Sequence, residues 1–179
     1  SFLNNAYNAE SRDFGGVENT AEEKENIKAF VRETFDKQAA NLIAKPPVSD
    51  NNDTNVVGYA CEVLKWFKPK VTVVNLNSSD ICHSNFTGYL KGIHRADHAM
   101  GHLWNYIQTQ IPEMAGNTMM IMTPDIGRNE LPNNAVDENN WAAYDHSDIN
   151  STRIFSQMVG MGVQSNLQLG NPGNSIGDI

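Results

Sequence analysis

Two short β-prone runs separated by a long helical pattern constrain the fold of this chain more than any other feature. The runs are residues 71–76 (Val-Thr-Val-Val-Asn-Leu) and residues 118–123 (Thr-Met-Met-Ile-Met-Thr), and each leads into a polar loop. Between them, residues 85–110 carry apolar side chains at three- to four-residue spacing, which is typical of a helix. The order strand–helix–strand indicates a βαβ unit. We therefore expect an α/β fold with a parallel sheet in a three-layer α/β/α arrangement.

Two more helices are predicted ahead of the first run. Residues 20–23 (Thr-Ala-Glu-Glu) form a capping-box pattern, and an apolar face follows that ends before residues 46–47 (Pro-Pro). Residues 56–67 predict the second helix, and the polar stretch 49–55 supplies its N-cap. At the other end of the chain, residues 153–160 fit a third strand and a short helix equally well.

The composition predicts one domain with a polar segment at each end. The chain has 179 residues, of which 40% are hydrophobic, enough for one substantial core. Residues 1–18 and 166–179 are rich in Gly and Asn and are expected to be irregular. A single α/β domain is predicted for residues 19–165.

Charge and hydropathy exclude several classes of protein. The formal net charge is −8 and the basic residues do not cluster, so nucleic acid is not an expected partner. No apolar run reaches the roughly 20 residues of a membrane span, and the first residues (Ser-Phe-Leu-Asn-Asn) lack the features of a signal peptide.

Cys61 lies in an apolar helical pattern and is interpreted as a buried hydrophobe, whereas its pairing with Cys82 stays open.

Acidic and histidine side chains follow both predicted strands. Asp80 and His83 follow the first run, Asp125 follows the second, and His146 comes after a long Asn-containing loop and directly follows an aspartate. In parallel sheets, ligands bind beyond the carboxyl ends of the strands. Each residue alone is more often a cap or a solvated loop residue than a ligand. Together, Asp80, His83, Asp125 and His146 predict a divalent metal site of mixed oxygen and nitrogen donors.

Three histidines within the long helical pattern form a second cluster. His94, His98 and His102 repeat every four residues, a spacing at which two imidazoles on one helix face can chelate a metal. Each step of four residues rotates the position by about 40° around the helix axis, so the three side chains drift rather than stack. We favour a polar, half-exposed helix face over a set of three ligands.

The order of these motifs resembles the alkaline phosphatase/sulfatase superfamily, in particular its branch with an "SEFGR" motif. Residues 118–128 (Thr-Met-Met-Ile-Met-Thr-Pro-Asp-Ile-Gly-Arg) resemble the strand that leads into that motif, and residues 80–85 resemble the earlier "D-T-H-s-N" motif. Residues 145–146 (Asp-His) resemble a later "D-H", and residues 158–163 resemble a Gly-rich strand. The similarity covers residues 70–165 and rests on order and spacing rather than on one specific motif.

This resemblance implies a two-metal hydrolase of phosphate or sulfate esters with an alkaline-phosphatase-like fold. Asp80, His83 and His146 would hold one cation and Asp125 would belong to the other, with zinc or manganese expected rather than magnesium. Arg128 would neutralise an oxyanion of a small anionic ester substrate, and an ordinary surface salt bridge is the equal alternative for this residue. Because related proteins are often exported, the resemblance also implies a periplasmic or extracellular location. The oligomeric state is not predicted.

Two departures from the family pattern keep a second hypothesis open. Ile126 stands where hydrolytic members have a histidine ligand, and residues 1–70 lack the strand–turn–helix that would carry a nucleophilic hydroxyl. Either that nucleophile lies on a segment preceding Ser1, or the chain is a non-catalytic binding or structural module that retains at most one metal site.

Overall fold

A computed structural model describes residues 19–48, 51–133 and 143–165, and these form mainly helices. The α-helices are α1 (Ala21–Ala39), α2 (Asn52–Phe67) and α3 (Phe86–Gln110), the strands are β1 (Met119–Met122) and β2 (Gln157–Gly160), and two 3-10 helices span Ser78–His83 and Ile149–Thr152. The predicted lead-in 1–18 and tail 166–179 lie outside the described residues. Within the described ranges, no helix is both long and apolar enough to cross a membrane.

The first two helices begin at side-chain caps that the sequence pattern indicates. The Thr20 hydroxyl accepts a hydrogen bond from the Glu23 backbone N–H, and the Glu23 carboxylate accepts one from the Thr20 N–H. This reciprocal pair confirms the predicted capping box. Asn51 caps α2 in the same way, so α2 starts four residues before the predicted position. It ends at Lys68, whose left-handed conformation (φ 47°) precedes Pro69.

The hydrophobic core lies between α2 and α3. Its buried residues come from the facing sides of these two helices and from the residue after α3, namely Val57, Ala60, Cys61, Leu64, Ala99, Leu103, Tyr106, Ile107 and Ile111. Cys61 is fully buried, as predicted, and neither Cys61 nor Cys82 forms a disulfide. The predicted helix at residues 85–110 is confirmed, although one of its apolar side chains, that of Ile93, is 44% exposed.

The predicted parallel sheet is wrong, and with it the three-layer α/β/α fold. β1 pairs with β2 in antiparallel register, from Met119 opposite Gly160 to Met122 opposite Gln157. Residues 71–76 pair with no strand in the described part of the chain. Their inner side chains, Val74 and Leu76, instead pack directly on the α2–α3 core. The β-prone composition of this run therefore does not give a strand, because no described strand lies beside it to complete a ladder.

The antiparallel pairing depends on close backbone approach at Gly160. This glycine has a φ of 114°, and a Cβ there would lie 2.2 Å from the Thr118 carbonyl oxygen. The same carbonyl accepts a hydrogen bond from the Met161 N–H at 3.0 Å. Only glycine tolerates both the conformation and the contact. Of the two alternatives that the sequence leaves open for residues 153–160, a strand and a short helix, the structure has a strand at Gln157–Gly160.

Candidate metal centre

Contacts with both α2 and α3 hold the backbone at the start of the 3-10 helix Ser78–His83. At the start of α2, the buried carboxylate of Asp53 accepts hydrogen bonds from the Asn77 N–H (2.9 Å) and the Ser78 N–H (3.1 Å). On α3, Gly92 lies so close that a Cβ would sit 2.7 Å from the Ser78 carbonyl oxygen. These contacts fix the segment that carries Asp80 and His83.

A second segment, residues 143–148, is attached to this 3-10 helix through Cys82. The Cys82 thiol donates to the Tyr144 carbonyl at 3.3 Å, and the Tyr144 N–H donates to the Cys82 carbonyl at 3.3 Å. The Asp145 carbonyl in turn accepts a hydrogen bond from the Asn129 N–H at 2.8 Å. Because Tyr144 is tied to Cys82, the two residues after it lie next to His83.

His83, Asp145 and His146 form the resulting group, called here the loop cluster. One ligand atom from each residue lies within 4.8 Å of the others. Asp145 Oδ1 lies 3.1 Å from His83 Nδ1 and 3.8 Å from His146 Nε2, so the carboxylate sits between the two imidazoles. The imidazole centroids are 4.8 Å apart.

The electrostatics of the loop cluster favour an ionised carboxylate. The backbone N–H of His146 donates to Asp145 Oδ1 at 2.9 Å, and this bond is the main reason why the pKa of Asp145 lies below its usual value. The nearby His83 and His146 lower that pKa further. The side chains of all three residues are between 37% and 46% exposed, so an ion and a water molecule can reach them.

Two imidazoles and one carboxylate are a donor set that suits a divalent transition metal. Zinc is bound at about 2.0–2.1 Å by histidine nitrogen and about 2.0–2.2 Å by carboxylate oxygen. Ligand atoms around one such ion are about 3–3.5 Å apart. The ligand atoms of the loop cluster lie within 4.8 Å of one another, so the side chains would have to move closer together to hold the ion. Three protein ligands leave one tetrahedral position open, as in catalytic zinc sites.

Three of the four predicted metal ligands lie in or beside this cluster. His83 and His146 belong to it, and Asp80 Oδ1 lies 3.6 Å from His83 Nε2 although the Asp80 side chain is 81% exposed. Asp125 is not in the group, and its carboxylate accepts a hydrogen bond from the next residue's N–H. The carboxylate between the imidazoles is that of Asp145. In the sequence, this residue stands out only as the first of the Asp-His pair at residues 145–146.

Arg128 lies close to the same 3-10 helix. Its guanidinium carbon is 5.5 Å from the centre of the Tyr89 ring, and its Nη1 is buried with no hydrogen-bond partner among the described residues. Burial raises the pKa of the Cys82 thiol, and the positive charge of Arg128 partly offsets this rise. Arg128 therefore acts electrostatically on the residue that precedes His83, and it retains an unused donor.

No protein-family model, curated protein or solved structure matches this chain. The resemblance of residues 70–165 to the alkaline phosphatase/sulfatase superfamily accordingly stays a prediction about function, and the loop cluster has to be judged on its own chemistry.

Proposed function

We propose that the chain binds one divalent transition-metal ion at the loop cluster. The observation that carries the proposal is the position of Asp145 Oδ1 between the imidazoles of His83 and His146. These residues come from segments about 60 positions apart in the sequence, and hydrogen bonds between Cys82 and Tyr144 bring the two segments together. Imidazole donors favour zinc or manganese over magnesium, which prefers oxygen ligands and retained waters.

Hydrolysis of small phosphate or sulfate esters is the second candidate function, and Arg128 is the observation that favours it. Arg128 Nη1 is buried and has no hydrogen-bond partner in the described part of the chain, a costly arrangement that an anionic oxygen would relieve. When bound, a divalent cation supplies Lewis acidity to an ester oxygen and to water. In the net reaction, a water oxygen bonds to phosphorus or sulfur, and the ester oxygen leaves as an alcohol with a proton.

Zinc titration of the full chain tests the metal-binding proposal. We expect His83→Gln and His146→Gln each to weaken the tightest site at least tenfold, because each removes one of three ligands. Asp125→Asn is the matched control, since it changes an exposed carboxylate outside the loop cluster, and it should leave the affinity within twofold. Equal affinity in all three variants and the parent would refute the site.

Turnover of p-nitrophenyl phosphate and p-nitrophenyl sulfate separates catalysis from binding alone. If the chain is a hydrolase, zinc- or manganese-dependent turnover should fall at least tenfold in Arg128→Gln while zinc affinity is unchanged. Zinc binding without any turnover in the parent would instead support the non-catalytic module that the sequence left open.

A further inference from the structure

The histidines on α3 do not behave as a set of three. The His94 and His98 rings lie 4.5 Å apart between centroids at an angle of 72°, and both side chains are exposed. His102, one turn further along, points elsewhere, and its Nε2 lies 3.0 Å from the Ala44 carbonyl oxygen in a hydrogen bond. His94 and His98 are therefore a pair, called here the helical pair.

The separation of the two rings matches that of two imidazoles bound to one ion. With each nitrogen about 2 Å from the metal, and each ring centre roughly 1 Å beyond its nitrogen, two adjacent ligands place their centroids about 4.5–5 Å apart. The helical pair meets this value at 4.5 Å, as the loop cluster does at 4.8 Å. Because α3 has 25 residues and the pair lies in its middle turns, the backbone between the ligands is already ordered.

The charged residues beside the helical pair are of both signs: Lys91 lies three residues before His94, Arg95 lies three residues before His98, and Asp97 is the acidic residue between the two histidines in the sequence. Asp97 is exposed and lies three residues after His94, but it does not join the two histidines in a group of three possible ligands, so the site has two imidazole donors. The formal net charge of the chain is −8, which favours the approach of a divalent ion. Two imidazoles without a thiolate select borderline ions, and among these Cu²⁺ binds most tightly.

We propose that His94 and His98 form a second metal site, which binds Cu²⁺ in preference to Ni²⁺ or Zn²⁺ and exchanges it readily with solvent. The site shares no residue with the loop cluster and does not depend on the function proposed for that cluster. Its two ligands lie on adjacent turns of one helix, so a bound ion also stabilises these turns of α3.

Copper titration of the full chain carrying His83→Gln and His146→Gln tests this site with the loop cluster removed. We expect one Cu²⁺ per chain by calorimetry, and an electron paramagnetic resonance spectrum with hyperfine splitting from two imidazole nitrogens. Adding either His94→Gln or His98→Gln should weaken binding at least tenfold and reduce the splitting to one nitrogen. Both positions are exposed, so these variants are expected to fold.

His102→Gln is the control on the same helix, and it should leave copper affinity within twofold because His102 is engaged with Ala44. Unchanged copper affinity in His94→Gln or His98→Gln would overturn the proposal. So would a two-nitrogen spectrum that persists in either variant, because the ligands would then lie elsewhere. Circular dichroism of each variant confirms that its helices are intact, and a variant that fails this check is replaced by the corresponding Asn substitution.

Discussion

The loop cluster and the helical pair place similar ligands on very different supports. His83 and His146 are 63 positions apart in the sequence and meet because Cys82, Tyr144 and Asn129 hold their backbones together. His94 and His98 are four positions apart and meet because α3 is a helix. The first site depends on tertiary structure, whereas the second depends on secondary structure alone.

This difference has a thermodynamic consequence. An ion that binds only the folded chain stabilises it by about 2.7 kcal/mol at a free concentration 100 times its Kd. Zinc at the loop cluster should approach this value, because unfolding separates its ligands. Copper at the helical pair should stabilise less, because any helical fragment that contains both histidines still binds it. Variants that distort the support of one site should therefore leave the other unchanged.

Gly92→Ala is expected to have the largest effect on stability and on zinc affinity at the loop cluster. The added methyl group would lie 2.7 Å from the Ser78 carbonyl oxygen, which is backbone and cannot move aside cheaply. Overpacking of this kind costs about 3 kcal/mol. We expect chemical denaturation to show that loss, zinc affinity at the loop cluster to fall at least tenfold, and copper affinity at the helical pair to stay within twofold.

Gly101→Ala provides the matched control on the same helix. No atom lies within 4 Å of a Cβ at Gly101, so the substitution should raise the free energy of unfolding by about 0.5–1 kcal/mol through helix propensity. Zinc affinity should be unaffected. Equal destabilisation by both substitutions would contradict the contact between Gly92 and the 3-10 helix.

Asp53→Asn is expected to have the next largest effect. Asp53 uses both carboxylate oxygens to accept backbone hydrogen bonds from Asn77 and Ser78, and an amide has only one acceptor oxygen. One of the two N–H groups then faces the NH2 of a buried amide instead of an acceptor, at a cost of about 2 kcal/mol in unfolding free energy. Since the same bonds position Asp80 and His83, zinc affinity should fall about tenfold.

Asp36→Asn is the control for this substitution, because Asp36 is an exposed aspartate whose side chain is remote from the 3-10 helix in sequence. It should change neither stability nor zinc affinity measurably. A zinc affinity that is unchanged in Asp53→Asn would show that the loop cluster does not need the Asp53 contacts.

The parts of the fold that local chemistry determines were predictable from the sequence. The capping box at Thr20, the helix that becomes α3 and the buried position of Cys61 follow from patterns within a few residues. The sheet was not predictable in this way, because strand pairing is a contact between distant segments. The composition of a β-prone run such as residues 71–76 indicates that the backbone can be extended there, but it does not indicate which segment pairs with it.

The wrong prediction of a parallel sheet also explains why the sequence predicts Asp125 as a metal ligand. That residue was grouped with Asp80 because the carboxyl ends of parallel strands meet at one edge. β1 is antiparallel to β2, so this rule does not apply, and Asp125 is not in the loop cluster. The same rule predicts that His83 and His146 lie together, and in the structure both belong to the loop cluster. The hydrogen bonds between Cys82 and Tyr144, one from the thiol and one from the backbone N–H, bring the two segments together, and no sequence pattern predicts these bonds.

The two cysteines allow a last and smaller test, because each reports on the opening of one region. Burial raises the pKa of Cys61 to about 12 and also raises that of Cys82, so native thiol labelling at pH 8 should be slow at both. Cys61 lies in the α2–α3 core, and its labelling requires global unfolding. Cys82 is exposed when residues 143–148 separate locally from the 3-10 helix, so it should react severalfold faster.

Zinc should then slow the labelling of Cys82 more than that of Cys61 when labelling is followed by mass spectrometry. A bound ion joins His83 to Asp145 and His146, and these residues flank the hydrogen bonds between Cys82 and Tyr144. The local opening that exposes Cys82 therefore has to break metal–ligand bonds. Copper at the helical pair should not protect Cys82 in this way, because α3 stays helical when the 143–148 segment opens. Equal protection of Cys82 by both ions would mean that the two sites are not supported independently.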